Sequence, residues 1–449
     1  MTRHRDVFFF SNHTETVREL QRKFPHEAAA VRRFIDYVMT TDPLQLYSEL
    51  REQTFSSVLD RYFEDWELKS VFATLLGNIG LPSSRACALT AVFLYREFIF
   101  DGGYYPQGGM QQFADALLER FQTYGGIALL LSPAEEVTTT PAGHVRSVQV
   151  KYRGRQPLEI AARAVAANCD PYQLYERLLR NAPLSSSHKA ELTMWIPTVS
   201  AFMLHLGVKA DLRREARYPC SVWSYPRGHI DEYYEGVLKG RVEFGADTFL
   251  FYNVPSLHDE TLVPNGAHSL QVIVPVPYAT RTVWDRQKEV LAEDVLTRLE
   301  RYLPTIRQRI DVRHVATPAT LQKYTWTHRG AMYGWASLIE QVGANKFPSR
   351  SAVGGLHLVG HWTGLPSGNS GVPTVVASGR AVARSILREL CAQPREGPRR
   401  ESAPPEFAED SGSRSPEHIE RRSTDGQHDD AIEISGHAGG GSGFAASAR

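Results

Sequence analysis

Gly355-Leu-His-Leu-Val-Gly360-His-Trp-Thr-Gly-Leu-Pro-Ser-Gly-Asn-Ser-Gly371-Val-Pro373-Thr374-Val-Val-Ala-Ser-Gly-Arg-Ala-Val-Ala-Arg-Ser-Ile-Leu-Arg388 decides the fold. Leu356 to Val359 is a short apolar run ending in glycine, as a buried strand ends. A glycine-rich loop follows, and then a helical segment with apolar residues at Val375, Val376, Ala383 and Ile386. Strand, glycine loop and helix in this order bring backbone N–H groups and a helix N-terminus up to an electron-rich ligand. Glycines allow close backbone approach, and Pro373 suits a first helical turn, where a missing N–H costs little. The same order also serves plain packing.

Working outward, the chain of 449 residues has room for two or three domains or one interleaved pair. Lys plus Arg and Asp plus Glu both count 50, so the formal net charge is zero and a general nucleic-acid binder is disfavoured. Cys87, Cys169, Cys220 and Cys391 lie far apart with no CxxC pair, which points to no metal site and no disulfide framework. A reducing, cytoplasmic setting fits this cysteine usage. The apolar run at Val7–Phe10 is too short for a signal-peptide core, and no stretch approaches the roughly 20 apolar residues of a spanning helix. Ala86 to Phe100 reads as a buried helix; its alternative is a helix that dips into a membrane surface or lines a lipid tunnel.

Residues 14–80 read as helices over Glu15–Lys23, Glu27–Met39, Pro43–Gln53, Ser56–Phe63 and Trp66–Leu76, rich in aromatics. Met110 to Tyr124 is an amphipathic helix with Phe113, Leu117, Leu118 and Phe121 at helical spacing. Ile127 to Leu131 reads as a buried strand, Val145 to Tyr152 as part of a hairpin, and Leu158 to Ala167 as a further strand. Asp170 is placed to cap a helix starting at Pro171. Strands at Thr193–Gly207, Thr248–Asn253, Ser269–Pro277 and Ile310–Ala316 then mix with helices at Asp231–Lys239 and Trp284–Tyr302. This mixture makes the fold class α/β, or α+β mixed. From about Gln393 large apolar residues nearly vanish, so a disordered tail is expected over 393–449.

Several motifs, taken together, resemble the FAD-dependent phytoene desaturase, carotenoid isomerase and retinol saturase family of amine-oxidase-like flavoproteins. They are Tyr104-Tyr-Pro-Gln-Gly-Gly109-Met110, Val165-Ala-Ala-Asn168-Cys-Asp-Pro171-Tyr172, Pro255-Ser-Leu-His-Asp259 through Pro264-Asn-Gly266, Gly330-Ala-Met-Tyr333-Gly334, and Gly355 to Arg380. Each is weak alone, but the five occur in family order across roughly residues 7–390. The resemblance implies an FAD-binding Rossmann-like domain interleaved with a substrate domain. Its implied divisions are a helical cap and substrate region at 1–100, part of the FAD domain at 101–180, a substrate domain at 181–325, and the C-terminal half of the FAD domain at 326–392.

Carried over by position, the resemblance puts Gly360 and His361 near the ribityl–pyrophosphate linkage. Gly371, Val372, Pro373 and Thr374 would present backbone and a helix N-terminus to the pyrimidine side of the isoalloxazine, where reduced flavin gathers negative charge. The backbone of Val137 matches an adenine contact. His361 stands where the family commonly has an acidic residue. The family's N-terminal GxGxxG unit has no match here, so an incomplete FAD site is expected, with the missing unit as a possible separate partner. The implied chemistry is hydride transfer between a hydrophobic polyene and FAD. The alternative is a non-catalytic remnant that binds an isoprenoid or lipid. No catalytic acid or base is nominated. His328, Arg329, Tyr104, Tyr105 and Trp335 are secondary candidates for the cavity, and Asp259 reads as a turn residue.

Overall fold

The computed structural model describes residues 6–100, 104–184, 191–216, 221–225, 230–244, 248–264, 266–363 and 371–392, with short strands at 432–436 and 445–446. Six helices build the first body: α1 (His13–Lys23), α2 (Ala28–Thr40), α3 (Pro43–Leu50), α4 (Phe55–Tyr62), α5 (Trp66–Thr74) and α6 (Ala88–Leu94). Their starts follow local chemistry. Asp42 accepts from Leu44 N and Gln45 N ahead of Pro43, and Asp65 accepts from Glu67 N and Leu68 N. Phe34 lies edge-on to Tyr62, Phe63 and Phe72, with ring centroids 5.0–5.3 Å apart. Such pairs add about 0.5–1.5 kcal/mol each beyond the apolar area they bury.

The Ala86–Phe100 run is part of this core. Ala86, Cys87, Ala88, Leu89, Ala91, Val92, Tyr95 and Phe100 are all buried, and the Tyr95 hydroxyl donates to Phe72 O. The buried-helix reading therefore holds there. No helix among the described residues is long and apolar enough to cross a membrane.

The next elements behave differently. α7 (Met110–Thr123) forms as its periodicity requires, yet none of its residues is buried. Ile127–Leu131, expected as a buried strand, is an exposed loop, with Leu131 83% exposed and at φ +53°. A strand there would need a neighbour for its ladder, and no described strand lies beside it. A three-stranded antiparallel sheet follows, from β1 (Ala134–Thr139), β2 (Val145–Tyr152) and β3 (Gln156–Ala161). The expected Leu158–Ala167 strand is two strands: β3 and then β4 (Val165–Ala167), which joins another sheet.

The second body is a five-stranded antiparallel sheet in the order β10-β5-β9-β8-β6. Its strands are β5 (Ser200–Val208), β6 (Val222–Ser224), β8 (Leu250–Asn253), β9 (His268–Val276) and β10 (Ile310–Ala316), with β7 (Arg241–Phe244) outside it. Alternation sends Phe202, Leu204, Leu206, Val272 and Val274 into one core with Trp284, Leu291, Val295 and Leu299. Those four lie on α9 (Arg281–Leu299), the long helix between β9 and β10; α8 is Ile230–Leu238 and α10 is Pro318–Thr325.

The third core draws on separated stretches. Val137 and Leu174 meet Trp335, Leu356, Leu358 and Trp362 there. β11 (Leu356–Leu358) pairs in parallel with β4, and α11 (Val372–Ala392) follows it in the chain. Most of the tail expected to be disordered lies outside the described residues. Within it, β12 (Ile432–Gly436) runs parallel to β7 and pairs with β13 (Ala445–Ala446). The sequence Ile432-Glu-Ile434 has the two-residue alternation of a strand, which the tail's overall polarity concealed.

Candidate flavin-binding half-site

The quoted stretch folds as its pattern requires. Leu356, His357 and Leu358 pair with Val165, Ala166 and Ala167, so the strand-end motifs Gly360-His361 and Asn168-Cys-Asp170 emerge side by side. Gly355 is left-handed at φ +77°, and a side chain there would stand 3.0 Å from Arg163 O. Gly360 is left-handed at φ +96°, and any Cβ on it would overlap Asn168 Oδ1.

Past Gly360 the chain turns and is pinned to the last helix. Ser378 Oγ of α11 accepts from Gly360 N at 3.1 Å, Thr363 Oγ1 donates to Gly360 O at 3.0 Å, and the two hydroxyls lie 3.0 Å apart. Trp362 is buried edge-on to Trp335, centroids 4.8 Å apart at 83°. His361 rests against Gly334: a Cβ there would lie 2.5 Å from His361 Cδ2 and 3.0 Å from His361 O. Burial lowers the His361 pKa, so the ring is neutral near pH 7. His361 Nε2 is buried and has no hydrogen-bond partner among the described residues.

α11 begins at Val372, with Gly371 at φ +91° and Val375 N donating to Gly371 O. Pro373 stands in the first turn, as expected. Gly371, Val372 and Pro373 are exposed and Thr374 is half-buried, so the helix N-terminus is open to a ligand. Residues 364–370, the middle of the glycine loop, lie outside the described set. The half-site thus brings together Gly360, His361, Asn168, Gly334 and Ser378. The sequence singled out the first two. Asn168 and Gly334 stood in the quoted motifs, but their contacts are long-range and carry no local signal.

Asp170 does more than cap a helix. It is 2% exposed, its Oδ1 accepts from Tyr172 N at 2.7 Å, and its Oδ2 accepts from His328 N. Burial raises its carboxyl to about 6 against the pull of those N–H groups. The His328 ring stacks on Tyr172 with centroids 3.8 Å apart, and burial and then Arg329 push its pKa down to about 4. A left-handed Trp326 and Arg329, at φ +57° and +53°, form the turn that delivers His328 N.

The other expectations divide. Val137 is a core residue of β1, 3% exposed, paired with Val148. Trp335 is fully buried, whereas Tyr104 is 89% exposed. Asp259 caps Thr261 N and accepts from Gly108 N, tying the Tyr104–Gly109 loop to the sheet, as a turn residue does.

These residues fit a flavin on three observations: a left-handed glycine crowded by Asn168, a buried imidazole nitrogen without a partner, and an open helix N-terminus. The chain is 27% identical over 353 residues to a phytoene desaturase (lycopene-forming) of Pseudescherichia vulneris, covering 76% of this chain and 68% of that one. It is 25% identical to the Pantoea ananas phytoene desaturase (lycopene-forming), covering 86% and 80%. A 4,4'-diapolycopene oxygenase of Methylomonas sp is 25% identical, covering 83% and 77%. In fold it is similar to an oxidoreductase from Methanosarcina mazei, with a TM-score of 0.53, 16% identity and coverage of 74% and 68%. It is also similar to putrescine oxidase, with a TM-score of 0.52, 18% identity and coverage of 86% and 78%. The sequence pattern of the flavin containing amine oxidoreductases matches residues 14–387, so the chain belongs to that family.

Proposed function

We propose that the chain is an FAD-dependent oxidoreductase of the carotenoid and retinoid type, acting on a hydrophobic polyene. The observation that carries this reading is the Gly360–Asn168 cradle beside the open N-terminus of α11, in a chain whose relatives are named for polyene substrates. FAD, when bound, supplies a hydride acceptor or donor.

The chain's own residues do the rest. Gly360 lets the backbone approach the ribityl–pyrophosphate linkage. Neutral His361 offers its free Nε2 to an oxygen of the cofactor. Gly371, Val372, Pro373 and Thr374 put a positive helix end toward the pyrimidine side, where it favours negative charge by about 0.3–1 kcal/mol. Val137 contributes backbone near the adenine. Desaturation of a polyene would pass a hydride from one carbon to bound FAD and the proton of the neighbouring carbon to water, leaving a new double bond; saturation would take both in reverse.

The pyrophosphate side needs further N–H groups. The outer edge of β4 pairs with no described strand, and parallel strands are ordinarily buried within larger sheets. α7 leaves Met110, Phe113, Leu117 and Phe121 exposed. Both features favour a further α/β unit packing here, covalently continuous or separate, and the same α7 stripe would serve a peripheral membrane contact.

The test is an FAD titration of the purified chain, alone and co-expressed with a GxGxxG-bearing α/β segment, followed by anaerobic mixing with phytoene. Bound flavin that is bleached by the polyene supports the reading. Absence of flavin in both preparations would sink it. Flotation with anionic vesicles reports the membrane contact separately.

A further inference from the structure

Helix α11 is held by few apolar contacts. Of its 21 residues, only Ser378 and Val382 are buried. Ser378, Val382, Ser385 and Glu389 recur at helical spacing, so they form one stripe, and three of the four are polar. The position of this helix therefore depends on its polar tethers.

Two tethers join the stripe to the strand beneath it. The first is the Ser378 bond to Gly360 N. The second stands ~16 Å further along the axis, at Glu389. There one carboxylate oxygen accepts from His357 Nε2 at 3.0 Å and the other from Arg350 Nη2 at 2.7 Å. The two donors arrive together for a topological reason. Ser351 N donates to Leu356 O and Leu358 N to Ser349 O, so residues 349–351 cover the outer edge of β11 and set Arg350 opposite His357. Opposed residues of an antiparallel bridge project to one face. Leu356 and Leu358 point to the other face, into the third core. His357 is 2% exposed, so its bond to Glu389 is sheltered from water. Arg163, just before β4, donates to Leu390 O at 3.4 Å and adds a cation at the helix C-terminus.

We propose that Glu389 is a positioning residue for the cofactor: with His357 and Arg350 it fixes the setting of α11 on β11, and so places the turn at 371–374 beside Gly360. The inference rests on the flavin reading above. Held at Ser378 alone, the helix has one fixed point and can pivot about it. Held at two points this far apart, it cannot tilt or slide without breaking a charge-assisted bond. The turn at 371–374 lies beyond Ser378, on the side away from Glu389. Freedom at the clamp therefore becomes displacement at the cofactor end.

The full chain is followed by hydrogen–deuterium exchange, first flavin-free and then loaded with FAD, alone or with the α/β segment. A thermal melt accompanies every variant. Glu389→Ala should raise exchange over residues 371–380 at least about threefold, although the change lies at the far end of the helix. Glu389→Gln keeps one acceptor and should restore about half of the protection. Arg350→Ala, from an exposed position, is the milder variant and should loosen the same segment less. Leu387→Ala, on the exposed side of α11, should leave 371–380 unchanged. In the loaded protein, Glu389→Ala should weaken the preference for reduced over oxidised flavin about two- to fivefold, lowering the two-electron potential by about 10–20 mV. Exchange that rises only over residues 386–392 would make Glu389 a local anchor and overturn the proposal. A potential that stays put while 371–380 loosens would overturn it too. Both outcomes leave the flavin reading standing. A wild-type chain that takes up no flavin in either preparation would overturn the flavin reading itself, and the cofactor role of Glu389 with it.

Discussion

Asn168 and Gly360 occupy one another's space: the Asn168 side chain lies where a β-carbon on Gly360 would be. Two strand ends, β4 and β11, therefore sit closer than any side chain at 360 permits, and that closeness forms the lip of the half-site.

Gly360→Ala is expected to cost about 2–4 kcal/mol, from a left-handed backbone and an overpacked contact together. Asn168→Ala in the same chain should recover the contact part but not the backbone part. Urea unfolding of the single and double variants gives the coupling. Purely additive costs would show that the two residues do not interact.

Gly334 makes a stricter case. Its φ is +77°, and a Cβ would meet both the His361 ring and the His361 carbonyl oxygen. The ring can move away; the carbonyl belongs to the turn held by Ser378 and Thr363. Gly334→Ala should therefore cost about 2–4 kcal/mol, and adding His361→Ala should restore less than half. A thermal melt of both variants decides it, and full restoration would mean that the ring alone is the obstacle.

Much of this was legible in the sequence where the signal is local. Ile310–Ala316 and Leu356–Val359 read as strands, the second forming over Leu356–Leu358, and Pro373 marked the first turn of α11. The misses share one cause. Ile127–Leu131 has the composition of a buried strand but no neighbour to bury it. The contacts of Asn168 with Gly360, of Gly334 with His361, and of Asp170 with His328 join positions far apart in the chain, and no period of 2 or 3.6 residues encodes such meetings.

Asp170 and His328 oppose each other in pH. Asp170 is raised to about 6, so the folded state holds its proton more tightly, and this group's contribution falls as pH rises from about 4 to 6. His328 is lowered to about 4, so the unfolded state holds its proton more tightly, and its contribution grows as pH rises from about 4 to 6.5. Each slope amounts to roughly 3 kcal/mol at about 1.4 kcal/mol per unit, and the two nearly cancel. Denaturant unfolding from pH 4 to 6.5 should show Asp170→Asn gaining stability with pH relative to the wild type, and His328→Asn losing it. Parallel curves for all three proteins would refute the pairing.

α7 separates apolar composition from burial. Leu117 is 57% exposed on a helix with no buried residue, whereas Leu89 of α6 is fully buried. Leu117→Lys should then change the chain's stability by less than about 0.5 kcal/mol, since no buried side chain is removed and Lys is as good a helix former. Leu89→Ala should cost about 2–5 kcal/mol, the transfer of a buried side chain plus the cavity it leaves. The informative measurement repeats Leu117→Lys in the presence of the α/β segment. If that segment covers α7, the substitution should lower flavin retention of the assembled protein while leaving the unfolding midpoint of the lone chain unmoved. A Leu117→Lys chain that unfolds as early as Leu89→Ala would mean that α7 already packs within this chain.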